Sequence, residues 1–183
     1  MFNARFWTLV LVTLAAAATR LLPHPPNFAP IGAIALFGGA YFSSKRAAFA
    51  VPLVAMLISN ALLAVFKYGG SVIPLMPWVY GSISLTVGLG LLIRSRRSPL
   101  NIAAASLTGS IFFFLITNFG VWLRGTRYEP SLEGLVICYT AAIPFFQNTL
   151  LGDAFYTLVL FGGFALAERR FAILREPNGR AIA

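Results

Sequence analysis

"RLLPHPPNFAPIGAIALFGG", residues 20–39, decides how this chain is organised. It opens on Arg20, passes through Pro23-His24-Pro25-Pro26-Asn27 and runs into a stretch without a single charge. The apolar part, Phe28–Ser44, either crosses a membrane or stops short, and that choice sets the side on which the loops before it lie. Seventeen residues of helix reach roughly 25 Å, marginal for a hydrocarbon layer but workable with local thinning. The loop itself needs a reason as well, because any polar residues could connect two helices.

The surrounding composition is that of a membrane protein. Of 183 residues, 58% are hydrophobic and only 10% charged, with a mean hydropathy of +0.81. A soluble domain carries about 25% charged residues. The net charge of +9 does not point to nucleic acid, because the basic residues lie in short clusters between apolar runs, the pattern that membrane orientation produces. A single cysteine, Cys138, excludes an internal disulfide and any paired-cysteine metal motif.

Crossing the hydrocarbon takes about 20 mostly apolar residues in a helix. Ala47–Phe66, Ile73–Ile93 and Asn101–Leu123 meet this directly. Phe6–Leu22 meets it if Arg20 snorkels to the interface, and Thr149–Ala167 meets it with one acid inside, Asp153. Ser131–Phe146 is apolar but interrupted by Pro144. It reads as a surface or re-entrant helix before the last span, with Ser131 as N-cap. The expectation is therefore an all-α integral membrane bundle of six transmembrane helices. Residues 1–170 form one transmembrane domain and 171–183 a short, solvated basic tail.

With both termini in the cytoplasm, ten basic residues lie inside and four (Arg20, Lys67, Arg124, Arg127) outside, as the positive-inside rule requires. A five-span alternative, with Phe28–Ser44 failing to cross, exchanges Arg5 and Arg20 and leaves the count unchanged. The first segment also carries an A-x-A pattern within Ala15–Ala18 that a signal peptidase would accept.

Six spans bring nearly every costly residue to the outer end. Arg20, His24 and Asn27 lie there, as do Trp78 and Tyr80 at the start of span four. Asn118 and Trp122 end span five there, and Asn148, Thr149 and Asp153 open span six. Polar groups in lipid should face protein, water or a ligand. The expected substrate-binding residues are His24, Asn27, Trp78, Tyr80, Asn118, Trp122, Asn148 and Asp153, under a proline-stiffened rim. Each has a plainer reading: a turn, a helix–helix hydrogen bond, an interfacial aromatic belt, or an Arg20–Asp153 structural lock. Gly38-Gly39 and Gly162-Gly163, with Ala15, Ala16, Ala17 and Ala18, suit close helix packing or a smooth docking face for a partner.

Enzyme signatures are missing: there is no GxSxG, HExxH or GxxxxGK[ST]. No catalytic residue, metal site or cofactor is expected. Cys138 reads as a small apolar residue.

The stretches "LPHPPNFAPIGAIALFGGAYF", "MPWVYGS", "TNFGVWL" and "AAIPFFQNTLLGDAFYT" together resemble an uncharacterised family of bacterial membrane transport proteins. That family is similar to the substrate-binding S components of energy-coupling-factor vitamin transporters. The resemblance implies a six-helix protein of the bacterial cytoplasmic membrane, with both termini inside. It implies a small-molecule substrate of the vitamin or cofactor-precursor class, taken up from outside. The implied partner is a membrane coupling subunit with ATPases, docked through small residues of span one. A small membrane enzyme or a structural subunit of another complex are the alternatives.

Overall fold

In the computed structural model, which describes residues 3–66 and 76–175, the doubtful stretch becomes the centre of the molecule. Ile31–Tyr41 forms a helix of 11 residues, α2, and every residue from Ala33 to Tyr41 is buried. A helix that is apolar on all sides belongs inside a bundle. α2 is sheathed by α1 (Ala4–Ala18), α3 (Lys45–Phe66), α4 (Met76–Ile93), α5 (Pro99–Leu123) and α6 (Leu132–Thr157). At about 16 Å, α2 is by itself shorter than a hydrocarbon layer about 30 Å thick. Burial in protein is what lets its polar ends sit at such a depth.

Those ends are satisfied by other helices. Pro30, at the N-cap of α2, has no side-chain oxygen to offer, and the backbone amides of Gly32 and Ala33 face the Asp153 carboxylate of α6 instead. At the other end Arg94 donates to the carbonyls of Gly39 (3.2 Å), Phe42 and Ser43 (3.1 Å), and Arg97 donates to that of Ala40 (3.3 Å). An anion at the N-terminus and cations at the C-terminus both complement the helix dipole. Several of the orphan groups that a helix leaves at its ends thus meet partners across the bundle.

Tertiary contacts give the direction of each helix. Arg5 at the start of α1, Tyr41 at the end of α2 and Arg97 just after α4 gather at one end, with Arg5 and Arg97 over the Tyr41 ring. Arg5 also pairs with Glu168 of α7 (Gly163–Arg170). At the opposite end Arg20 meets Ser59 of α3, and the start of α2 meets Asp153. Successive apolar helices therefore alternate in direction.

Four helical segments are long and apolar enough to cross a membrane: Ala4–Leu21, Lys45–Phe66, Pro99–Leu123 and Leu132–Arg170. Ile31–Tyr41 and Pro77–Ile93 are shorter apolar helices. Leu11, Leu57, Val65, Leu115, Leu151 and Leu158 stand exposed around the outside. Such a surface suits lipid and would be an aggregation liability in water.

Three expectations change. The separate helix before the last span does not exist. α6 runs through Pro144 into a π-helical turn, Leu158–Gly162, and on into α7. Pro144 is exposed, so its ring displaces no packed neighbour. The 39 residues make about 58 Å of helix, and part of it stands beyond any hydrocarbon layer. The tail is not wholly solvated: Ala172–Leu174 forms a 3-10 turn with Leu174 buried, and Arg5 donates to the Leu174 carbonyl. Residues 176–183 lie outside the described residues, as do Lys67 and the beginning of the fourth span at Ile73.

The third change concerns small residues. Gly38 and Gly39 are buried and offer no docking face. A Cβ on Gly39 would lie 2.2 Å from the Val87 carbonyl oxygen and 2.8 Å from Gly90 Cα, so α2 and α4 touch backbone to backbone. Ala16 and Ala17 are likewise turned into the core, leaving Ala15 and Ala18 exposed. Gly162 is partly buried and Gly163 is exposed.

Candidate functional site

The proline-rich loop forms a defined turn over the start of α2. The Phe28 N–H donates to the Pro25 carbonyl (3.1 Å), which places Pro26 and Asn27 at the turn's central positions. Asn27 has φ +63°. Proline followed by a left-handed residue is the preference of a type II turn, and asparagine tolerates that conformation better than most residues. The turn is anchored from α6, where Asn148 Nδ2 donates to the Pro26 carbonyl (2.9 Å). Asn27→Ala is expected to cost about 1–2 kcal/mol from the left-handed strain, and Asn27→Gly close to nothing. Thermal unfolding of the two variants in one detergent checks this order.

Beneath the turn Asp153 is buried inside the bundle. Facing the two α2 amides, it accepts a hydrogen bond from Ser110 Oγ of α5 (2.6 Å). Gly32 makes the approach possible, because a Cβ there would fall 2.4 Å from Asp153 Oδ1. One carboxylate thus joins α2, α5 and α6. Arg20 is buried too, and donates to Ser59 Oγ and to Met56 Sδ (3.1 Å), both on α3.

These groups face a cavity of about 380 Å³, within the range of small-molecule sites. Arg20, His24, Asn27, Thr86, Thr149 and Asp153 give it polar character, and Ile31, Leu63, Ile83 and Phe113 give it apolar wall. Thr86 and Thr149 donate to carbonyls of their own helices at 3.0 and 3.3 Å, and a hydroxyl so engaged still accepts. His24 Nδ1 lies 2.9 Å from the Pro25 carbonyl. A guanidinium, an imidazole, an amide, two hydroxyls and a carboxylate around one cavity can hold a small polar molecule by several hydrogen bonds at once.

Of the eight residues expected from the sequence, His24, Asn27 and Asp153 line this cavity. The other five do different work. Asn148 ties down the turn. Asn118 donates to Phe114 of its own helix (2.8 Å), as lipid-facing or helix-packed amides do. Trp122 Nε1 donates to the carbonyls of Glu129 (3.0 Å) and Ser131 (3.1 Å), fastening the loop before α6. Trp78 lies against Gly120, where a Cβ would come within 2.4 Å of its ring, and edge-on to Phe119. Tyr80 packs against the hydrophobic core. Its buried hydroxyl has no hydrogen-bond partner among the described residues.

Sequence reasoning missed Arg20 as a wall residue, taking it for an interfacial snorkeller, and missed Gly32 altogether. A signal for Gly32 existed. An apolar helix whose N-cap is proline must find its acceptor elsewhere, and the chain has one acid inside its spans. Cys138 is buried, its thiol 3.5 Å from the Asn118 carbonyl in the α5–α6 contact. Among the described residues no group of three or more His, Cys, Asp or Glu stands together to hold a metal.

No curated protein and no solved structure matches the chain. A family model does match, over residues 1–176. This helical chain, with its buried central helix and its carboxylate cap, belongs to that family, a family of unknown function (DUF6580).

Proposed function

We propose that the protein is a membrane transport protein that captures a small polar molecule in the cavity beneath the proline-rich turn. The observation that carries this is the convergence of Arg20, His24, Asn27, Thr149 and Asp153 on one cavity of about 380 Å³ in an otherwise apolar bundle. Polar groups inside a membrane are costly and mark ligand or ion paths. The alternating helices fit six passages, with α2 as a short sheathed one and the turn on the outer surface. The basic end then lies in the cytoplasm, as the positive-inside rule asks. The likeness to vitamin-binding S components fits the same arrangement: an outward site, both termini inside, and energy supplied by a separate coupling subunit with ATPases. Ala15 and Ala18, exposed on α1, would then face that subunit.

Native mass spectrometry on gently extracted protein tests the binding. Wild type is expected to retain one small molecule, and Ala29→Leu, which adds three carbons to the cavity wall, is expected to lose it. Equal spectra for both proteins would refute a ligand in this cavity. Sidedness is tested separately with His24→Cys in a chain whose Cys138 is replaced by alanine. An impermeant thiol reagent is expected to label it in intact cells. Labelling only after lysis would put the turn in the cytoplasm and end the outward reading.

A further inference from the structure

A second and larger opening, of about 700 Å³, runs along the outside of the bundle between α5 and the α6–α7 helix. Its walls include Ile102, Leu107, Leu158 and Phe161. Leu107 and Leu158 are exposed, so the groove opens sideways, toward lipid. The π-helical turn Leu158–Gly162 forms part of one wall, and such turns recur at functional sites. From Pro99 to Ser110 it follows α5 for about 17 Å, about one leaflet of a hydrocarbon layer about 30 Å thick.

Its polar groups are divided unevenly. Within the groove Ser106 and Thr157 bond each other at 3.3 Å, and Ser110 donates to Asp153, so the hydroxyls are engaged with protein. At the basic end two arginines line the mouth, Arg97 from the α4–α5 connection and Arg169 from α7. Arg97 is buried and held in place, its guanidinium 4.5 Å from the Tyr41 ring centroid and donating to Ala40. Arg169 is exposed. A long apolar channel ending in two guanidinium groups complements one kind of molecule, a hydrocarbon chain with an anionic head. Guanidinium forks match phosphate oxygens.

We propose that this groove binds an anionic membrane phospholipid, its acyl chain lying between α5 and α6 and its phosphate between Arg97 and Arg169. The site is separate from the cavity under the proline-rich turn and does not depend on what that cavity holds.

Lipid retention by the purified full chain tests this, with phosphatidylglycerol and phosphatidylcholine of identical acyl chains as probes and native mass spectrometry as readout. Phosphatidylglycerol is expected to be retained about 25-fold better, from two basic residues at a membrane surface. Arg169→Gln is expected to lower its retention about fivefold, and Arg169→Lys to keep most of it. Ala154→Phe, which fills the groove, is expected to lower retention of both lipids. Equal retention of the two lipids by wild type would overturn the proposal, as would an undiminished signal in Ala154→Phe. If Arg169→Gln does not fold, weak phosphatidylglycerol binding by Arg169→Lys would overturn it as well. Cross-linking from a cysteine at position 154 to a second copy, with no lipid retained, would assign the groove to a helix instead.

Discussion

Asp153→Ala is expected to lower stability by at least about 2 kcal/mol, because two buried backbone amides lose the carboxylate they face, at about 1–3 kcal/mol each. Those amides are the N–H groups of Gly32 and Ala33, whereas Ser110 Oγ keeps an acceptor in the Ser106 carbonyl at 3.0 Å. α2 has no capping side chain of its own at Pro30 to take their place. Asp153→Asn keeps one acceptor oxygen and should lose about 1 kcal/mol. Thermal unfolding of the three proteins in one detergent measures the series. An alanine variant within about 0.5 kcal/mol of wild type, the range of ordinary surface changes, would show that α2 does not depend on this carboxylate.

The same pair of variants separates the cap from the ligand contact. If the charge of Asp153 orients a bound molecule, the asparagine variant folds and loses the ligand. If Asp153 serves α2 alone, the asparagine variant folds and keeps it. A lone acid in a membrane helix is a functional candidate by default. Here that acid has a structural task as well, so loss of activity in Asp153→Ala alone would say little about binding.

The second large effect is expected at the contact between α2 and α4. Gly39→Ala and Gly90→Ala each place a methyl against backbone, 2.2 Å from the Val87 oxygen and 2.3 Å from the Leu36 oxygen respectively. No rotamer change can relieve a clash with backbone, so the helices must separate. Ordinary overpacking costs about 1–3 kcal/mol, and each of these changes should exceed that range. In lipid the cost is not offset by hydrophobic force between helices, since association there depends on close packing and polar contacts. Gly163→Ala is the control: a Cβ there meets nothing within 4 Å, and the helix gains up to about 1 kcal/mol from alanine. Yield of monodisperse protein and thermal unfolding are the measurements. Well-folded Gly39→Ala protein with unchanged unfolding temperature would refute the backbone contact.

This contrast shows where sequence reading stops. "LFGGAYF" and "LFGGFAL" look alike, yet the first diglycine lies inside the bundle and the second beside a π-helical turn with open space around Gly163. Local sequence cannot separate them, because the difference is made by what the rest of the chain brings alongside. The aromatic residues tell the same story. Trp78 and Trp122 were legible as residues of the helix ends, but their partners, Gly120 and the carbonyls of Glu129 and Ser131, depend on which helices are neighbours.

Composition and apolar run lengths were enough for an all-helical chain with helices long and apolar enough to cross a membrane, because the cost of burying charge and bare backbone in lipid leaves few other solutions. The run from Asn101 to Leu123 is a helix from Pro99 to Leu123, and Ala47–Phe66 a helix from Lys45. The turn at Pro25-Pro26-Asn27-Phe28 was legible as a stiff rim, since proline and asparagine act through their own backbone angles. What local sequence could not decide is why an 11-residue helix survives in the middle of the molecule. Its ends are satisfied by Asp153, Arg94 and Arg97, residues far away along the chain. Hydrogen bonds and dipole pairing act over a few ångströms, so only the packed tertiary structure determines which polar residue reaches which helix end, and with it the cavity that Arg20, Asn27 and Asp153 share.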